Sequence, residues 1–359
     1  MKQKGQQKKK VITREILLEQ LKQNLQMMNH KMSFLVQGAD GEIFIKEHLC
    51  EQGKQPYDDN TRIHIASGCK WIAMATIMKV VELGLVNVNT KVIDIYPEFR
   101  NTNPNLILKH LITHTSGYEL ADEWILDLDI SLQESVIGIA KGGKYPASKV
   151  HFQGGTKVGY SDIGMQIAGG MAEKITGKSF HQLFNEFIAI PLEMKNAEFT
   201  AFDGQKGQNI AIADGFLIRM IDYANFMRMI LNYGTFNGKQ ILKISTVKQM
   251  LQDYTSDLPV SKKIMKEVVG DVSDFYGFGI GAWIYDTNQN NQPVIFSSSG
   301  IHGFSNWIDI ENQYLCIFYI RTEVENEPLI SELTESMRPQ ILEFVLKETE
   351  KLKQKLVNV

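Results

Sequence analysis

Apolar residues change their spacing several times along the chain, and each change predicts an element. Ile12, Ile16, Leu17, Leu21 and Leu25 recur every three or four positions, which predicts an amphipathic helix over about 13–30. Ser33 to Gln37 and Glu42 to Ile45 read as two strands of a hairpin, with Asp40-Gly41 in the turn between them and Ile63-His64-Ile65 as a short third strand. From Ser67 to Leu83 apolar residues occupy nearly every face, so a buried helix is expected, with Gly84 beyond its end. Helical segments dominate from about 85 to 270, including 163–176, 179–190 and 219–233. Strand patterns return at Tyr276–Tyr285, Val294–Phe296, Phe304–Ile308 and Tyr314–Ile320, before a last helix over about 328–355.

Strands near both termini with helices between them predict an α/β (α+β) fold. An antiparallel sheet is flanked by the N- and C-terminal helices and carries a large inserted all-helical domain. The expected division is a basic tail at 1–12, a sheet domain from 13–66 and 275–359, and a mainly helical insertion at 67–274. A cleft between the two is the natural place for a site. At 359 residues, with 43% hydrophobic and 22% charged residues, the chain is an ordinary globular one with no internal repeats.

Thirty-eight Lys and Arg against 41 Asp and Glu leave a formal charge of -3, so no global basic field exists to hold nucleic acid. The basic cluster at Lys2, Lys4, Lys8, Lys9 and Lys10 reads as a solvated tail, available with the terminal helices for a protein assembly. No apolar run of secretory type follows it and no stretch is long enough to span a bilayer, so a soluble cytoplasmic protein is expected, with mitochondrial import left open. Cys50, Cys69 and Cys316 are odd in number and lack C-x-x-C spacing, which suggests free thiols and no zinc site. No cofactor is expected.

Ser67-Gly68-Cys69-Lys70 places a hydroxyl and an amine one helical turn apart, on one face. A serine attacks a carbonyl only if its proton has a destination, and a desolvated lysine amine can provide one. The start of a helix also offers N–H groups to a developing oxyanion. Taken alone the tetrad is common, and its first reading is Ser67 as a helix cap with Lys70 on the surface.

Context alters that reading. The segment Ile63–Phe99, the stretch Leu108-Lys109-His110-Leu111-Ile112-Thr113-His114-Thr115-Ser116-Gly117, Tyr160-Ser161-Asp162-Ile163-Gly164, Asp214-Gly215-Phe216 through Gly234, Tyr276–Gly279, and Gly300 through Asp309 follow in order over residues 33–345. Together they resemble the serine β-lactamase and penicillin-binding-protein superfamily, in its class C-like branch of esterases and D-aminopeptidases. The resemblance implies Ser67 as acylated nucleophile, Lys70 as its proton partner and Tyr160 as a base whose pKa the Lys70 cation lowers. It implies an oxyanion hole from the backbone N–H groups of Ser67 and Ile301. His110 and His114 then belong to a helix end beside the cleft, structural rather than metal-binding, and Cys69 is an inert buried thiol.

Two motifs depart from the pattern. Asp162 stands where relatives usually carry Asn; ionised, it can only accept, and it favours the ammonium form of Lys70. Ser298-Ser299-Gly300 replaces a third motif that opens with Lys or His, and His302 lies four residues later, as a rim or packing histidine. Without that cation, carboxylate-bearing ligands lose roughly 1.5 to 3 kcal/mol. The expected activity is therefore hydrolysis of a small ester, amide or peptide through Ser67, with Asp162, Ser298, Ser299 and Gly300 lining the substrate site. The alternative is a catalytically weakened subunit of a larger assembly.

Overall fold

Alternate residues of the strand Lys31–Gly38 (β1) enter two different cores, and this organises the molecule. In a computed structural model that describes residues 11–118, 123–142, 149–262, 265 and 277–357, Phe34 and Val36 pack with Leu17, Leu21, Ile341 and Phe344 of the two terminal helices. Leu35 points the other way and joins the helices contributed by the middle of the chain. The last strand, Tyr314–Tyr319, divides likewise: Cys316 and Phe318 face the terminal helices, while Leu315, Ile317 and Tyr319 face the middle. Phe34 and Phe318 are partners in the ladder, with ring centroids 4.9 Å apart. Each such fully buried side chain contributes about 1.5–3 kcal/mol.

The remaining strands are Ile43–Cys50 (β2), Arg62–His64 (β3), Glu198–Phe199 (β4), Phe216–Arg219 (β5), Thr235–Phe236 (β6), Lys239–Gln240 (β7), Gly277–Phe278 (β8), Trp283–Thr287 (β9), Pro293–Ser297 (β10) and Ser305–Asp309 (β11), with Tyr314–Tyr319 as β12. Among the described residues the main sheet is antiparallel and seven-stranded, in the order β2-β1-β12-β11-β10-β9-β8. The N-terminal helix Arg14–Gln23 and the C-terminal helix Glu327–Val357 cover one face and are tied to each other by Gln20 and Gln340 at 2.9 Å. No helix among the described residues is long and apolar enough to cross a membrane.

Three expectations are corrected. The first helix stops at Gln23 and continues only as a 3-10 turn over Leu25–Met28, because Asn29 and His30 take left-handed backbone angles that turn the chain into β1. The short strand at Ile63 does form, but β3 pairs with β5 in a separate three-stranded sheet, and the Tyr319 hydroxyl accepts its Ile63 N–H at 3.0 Å. The single strand expected from Tyr276 to Tyr285 is two, β8 and β9, and Tyr276 itself lies outside the described residues. Gly281, at φ +79°, makes the break: a side chain there would sit 2.9 Å from the Lys70 carbonyl. The basic residues Lys2 to Lys10 also lie outside the described residues.

Candidate active site

The helix expected from Ser67 starts as a 3-10 turn, Ala66–Cys69, and becomes α-helical over Lys70–Glu82. Ala66 precedes Ser67 in a left-handed conformation (φ 45°), which for a non-glycine residue stores roughly 1–2 kcal/mol. Packing holds it there, because Gly300 lies so close that a methyl on it would meet the Ile65 carbonyl oxygen at 2.1 Å. The turn leaves Ser67 half-buried, while Lys70 behind it is 2% exposed.

Every N–H of the Lys70 ammonium has an oxygen in reach. Nζ donates to Ser67 Oγ at 2.8 Å and to the Ala213 carbonyl at 2.7 Å, and it lies 2.8 Å from Asp162 Oδ1. Asp162 opens the helix Asp162–Thr176, where the positive end of the helix dipole favours its anion; Ser161 caps that helix by accepting from Gly164 N–H at 3.1 Å. Burial works against charge on both partners. For Lys70 the burial penalty is outweighed chiefly by the Asp162 carboxylate, so its pKa is raised and the ammonium is favoured. For Asp162 burial prevails over Lys70, and its pKa is pushed up to about 6.

Tyr160 packs beside this pair, with Lys70 Nζ 4.7 Å from its ring centroid. The ring stacks against His114 (centroids 4.3 Å apart) and Trp283 (5.3 Å), with Phe278 at 6.0 Å. His114, itself left-handed at φ 56°, accepts the Ser161 N–H on Nδ1 at 3.1 Å, so it holds the second motif in place as a neutral ring. Burial, then the Lys70 charge, keeps its pKa well below the usual histidine value. Burial raises the Tyr160 pKa, while the Lys70 charge and hydrogen bonding from Lys70 and Ser67 act to lower it.

In the third motif, Gly300 donates to Phe304 O at 2.8 Å and Gly303 donates to Gly300 O at 3.0 Å, which folds the 300–304 turn over the start of the Ser67 helix. Ile301 sits at its exposed tip. Ser298 is 2% exposed and donates to the Ser67 carbonyl at 3.2 Å; its own N–H and C=O are taken by the Asn306 side chain. Ser299 lies 3.0 Å from the Ser297 hydroxyl and 3.5 Å from that of Tyr285, on the side of the C-terminal helix. The fold thus brings together Ser67, Lys70, Tyr160, Asp162, Ser298 and the Gly300-Ile301 turn, whereas the Ser299 side chain turns aside. His302 binds the Thr322 carbonyl at 3.0 Å and stands 3.8 Å from Asp203, apart from the Lys70 pair.

The Cys69 thiol is fully buried and burial raises its pKa. His110 is also held neutral by burial, down to about 4, beneath Gly154 and Gly155. Among the described residues no group of three or more His, Cys, Asp or Glu is placed to hold a metal. Sequence reading missed the Ala213 carbonyl, which carries no side-chain signal, and the stacking of Trp283 and His114 on Tyr160. It also missed the support behind Ala213: Asp214 Oδ2 lies 3.4 Å from His64 Nε2 and accepts the Asp203 N–H at 3.0 Å.

A family model described as Beta-lactamase matches residues 40–335. No curated protein matches the chain. Among solved structures, one from Bacteroides dorei DSM 17855, assigned provisionally to the beta-lactamases, aligns with a TM-score of 0.76 at 23% identity, over 90% of this chain and 98% of that one. The unliganded simvastatin synthase LovD of Aspergillus terreus, as its selenomethionyl derivative, aligns at 0.71 and 17% identity, over 91% and 98%. EstCE1, described as a hydrolase with promiscuous acyltransferase activity, aligns at 0.69 and 17% identity, over 89% and 97%. At such identities these structures share the fold with this chain.

Proposed function

The chain belongs to the beta-lactamase family, and from that premise we infer that it is a serine acyl hydrolase, cleaving a small ester or amide through an acyl-enzyme on Ser67. The observation that carries this reading is the 2.8 Å contact of Lys70 Nζ with Ser67 Oγ on a half-buried turn. Ser67 Oγ attacks the carbonyl carbon, and its proton leaves through the Lys70 and Tyr160 cluster. The carbonyl electron pair moves to oxygen, held by the N–H groups of Ser67 and Ile301. The proton then passes to the leaving alcohol or amine as the scissile bond breaks, and water releases the acyl group by the same steps.

The substrate class follows from charge. Ser298 stands where the third motif of relatives opens on a cation, so a carboxylate on the substrate has no counterion there, and neutral esters or amides fit better. That a hydrolase with promiscuous acyltransferase activity shares the fold supports an acyl group as the unit transferred. A second reading is favoured by one observation, the buried Lys70–Asp162 ion pair, which suits a catalytically silent member of a protein assembly.

A fluorophosphonate probe separates the two. The hydrolase reading expects covalent labelling of the full chain and none of Ser67→Ala. An unlabelled wild type with a native circular dichroism melt leaves only the silent subunit.

A further inference from the structure

We propose that Asp162 is where the Ser67 proton comes to rest, with Lys70 acting as the relay between them. The proposal deepens the acyl-hydrolase reading and rests on it. Lys70 Nζ joins the two residues: it donates to Ser67 Oγ at 2.8 Å and forms an ion pair with Asp162 Oδ1 at 2.8 Å, while the third ammonium contact goes to a backbone carbonyl, Ala213 O at 2.7 Å, which cannot take a proton. A lysine held this way has no lone pair to offer, so it must first hand one N–H proton to Asp162 and only then, as an amine, accept the serine proton.

The step balances. One Lys70 N–H breaks and delivers its proton to the Asp162 carboxylate, leaving a neutral amine. As Ser67 Oγ then bonds to the carbonyl carbon, its O–H breaks and the proton moves to that amine. Lys70 ends as it began, an ammonium, and Asp162 becomes a neutral acid. When the tetrahedral intermediate collapses, the proton returns by the same route to the leaving group.

The neighbours of Asp162 decide whether it can act as acceptor. Lys70 and the Cys69 thiol face it from the start of the Ser67 helix, Asp214 from the segment before β5, and Tyr160 from its own strand of chain, while His114 faces Lys70 as a neutral ring. Burial, then Asp214, raises the Asp162 pKa to about 6, which makes it a base of useful strength at neutral pH. The Tyr160 and Lys70 values are both raised, which favours the protonated form of each at rest. Asp162 acts through Lys70, and is thus a proton-accepting partner rather than a group in contact with substrate.

The test is the rate of fluorophosphonate labelling between pH 4.5 and 8.5. Wild type is expected to lose about tenfold per pH unit below about 6, as the carboxylate takes a proton from solvent. Asp162→Asn should label about a hundredfold more slowly at pH 7.5 and lose that acid limb, whereas Asp162→Glu, which retains a carboxylate, should keep the limb. Labelling of Asp162→Asn that is faster than wild type at pH 7.5, or that keeps the same limb, overturns the relay while leaving the hydrolase reading intact. A wild type unlabelled at every pH overturns both.

Discussion

The Ser298 hydroxyl donates to the carbonyl oxygen of Ser67 across 3.2 Å, so the residue proposed to stand in place of a substrate-binding cation braces the turn that carries Ser67. Restoring charge there should alter selectivity. Ser298→Lys is expected to raise kcat/KM for a carboxylate-bearing ester about tenfold to a hundredfold relative to its neutral methyl ester, the return of one charge-assisted hydrogen bond. Using the ratio of the two substrates removes any general loss of stability. An unchanged ratio would show that the third motif does not set charge preference.

Removing one partner of the Lys70–Asp162 pair leaves an uncompensated polar group in the interior. Lys70→Met should lower stability by about 3 to 5 kcal/mol in urea melts and abolish labelling at Ser67. The double variant Lys70→Met/Asp162→Asn should regain most of the stability but none of the labelling. Equal stability losses in the single and double variants would refute net coupling between the two charges.

Gly300 is predicted to tolerate no side chain. A methyl at this position meets the Ile65 backbone carbonyl at 2.1 Å, and backbone cannot rotate out of the way as a flexible side chain could. Gly300→Ala should therefore push the Ile301 N–H away from Ser67 and slow labelling by about a hundredfold or more, the loss typical of one oxyanion donor. A labelling rate within threefold of wild type would place the oxyanion donor elsewhere.

Stability should fall on acidification from pH 7 to 5. Burial is the leading cause holding His110, His114, His181 and His302 below their ordinary value, so the unfolded chain binds protons at these sites before the folded one does. Their contribution is complete above about 6.5 and is lost as pH falls towards the folded-state values, by about 1.4 kcal/mol per pH unit for each proton. Asp162, raised to about 6, and Glu327, raised by burial, work in the opposite direction at acidic pH, but as two groups against four they do not change the sign. Chemical denaturation at pH 7 and pH 5 measures the slope, and His114→Gln should flatten it.

Local patterns read correctly where a single period governed burial. Strands β1 and β12 were legible as short apolar runs because each face has its own apolar cover, and the stretch from Lys70 to Met78 was apolar nearly all round because it lies inside the core. The end of the first helix was misjudged because left-handed Asn29 and His30 override an apolar spacing that could have continued. The partner of β3 could not be read, since strand pairing depends on which segments the rest of the chain brings alongside.

The amino-acid order alone determined that Ser67 and Lys70 meet, because residues one helical turn apart share a face whatever surrounds them. Only the tertiary structure decided what their meeting is worth. It supplied the Ala213 carbonyl from 143 residues away, set Asp162 against the ammonium and sealed Tyr160 between two rings. Burial and electrostatic coupling depend on everything packed around a group, so the directions of the Tyr160 and Asp162 shifts followed from the folded interior rather than from spacing.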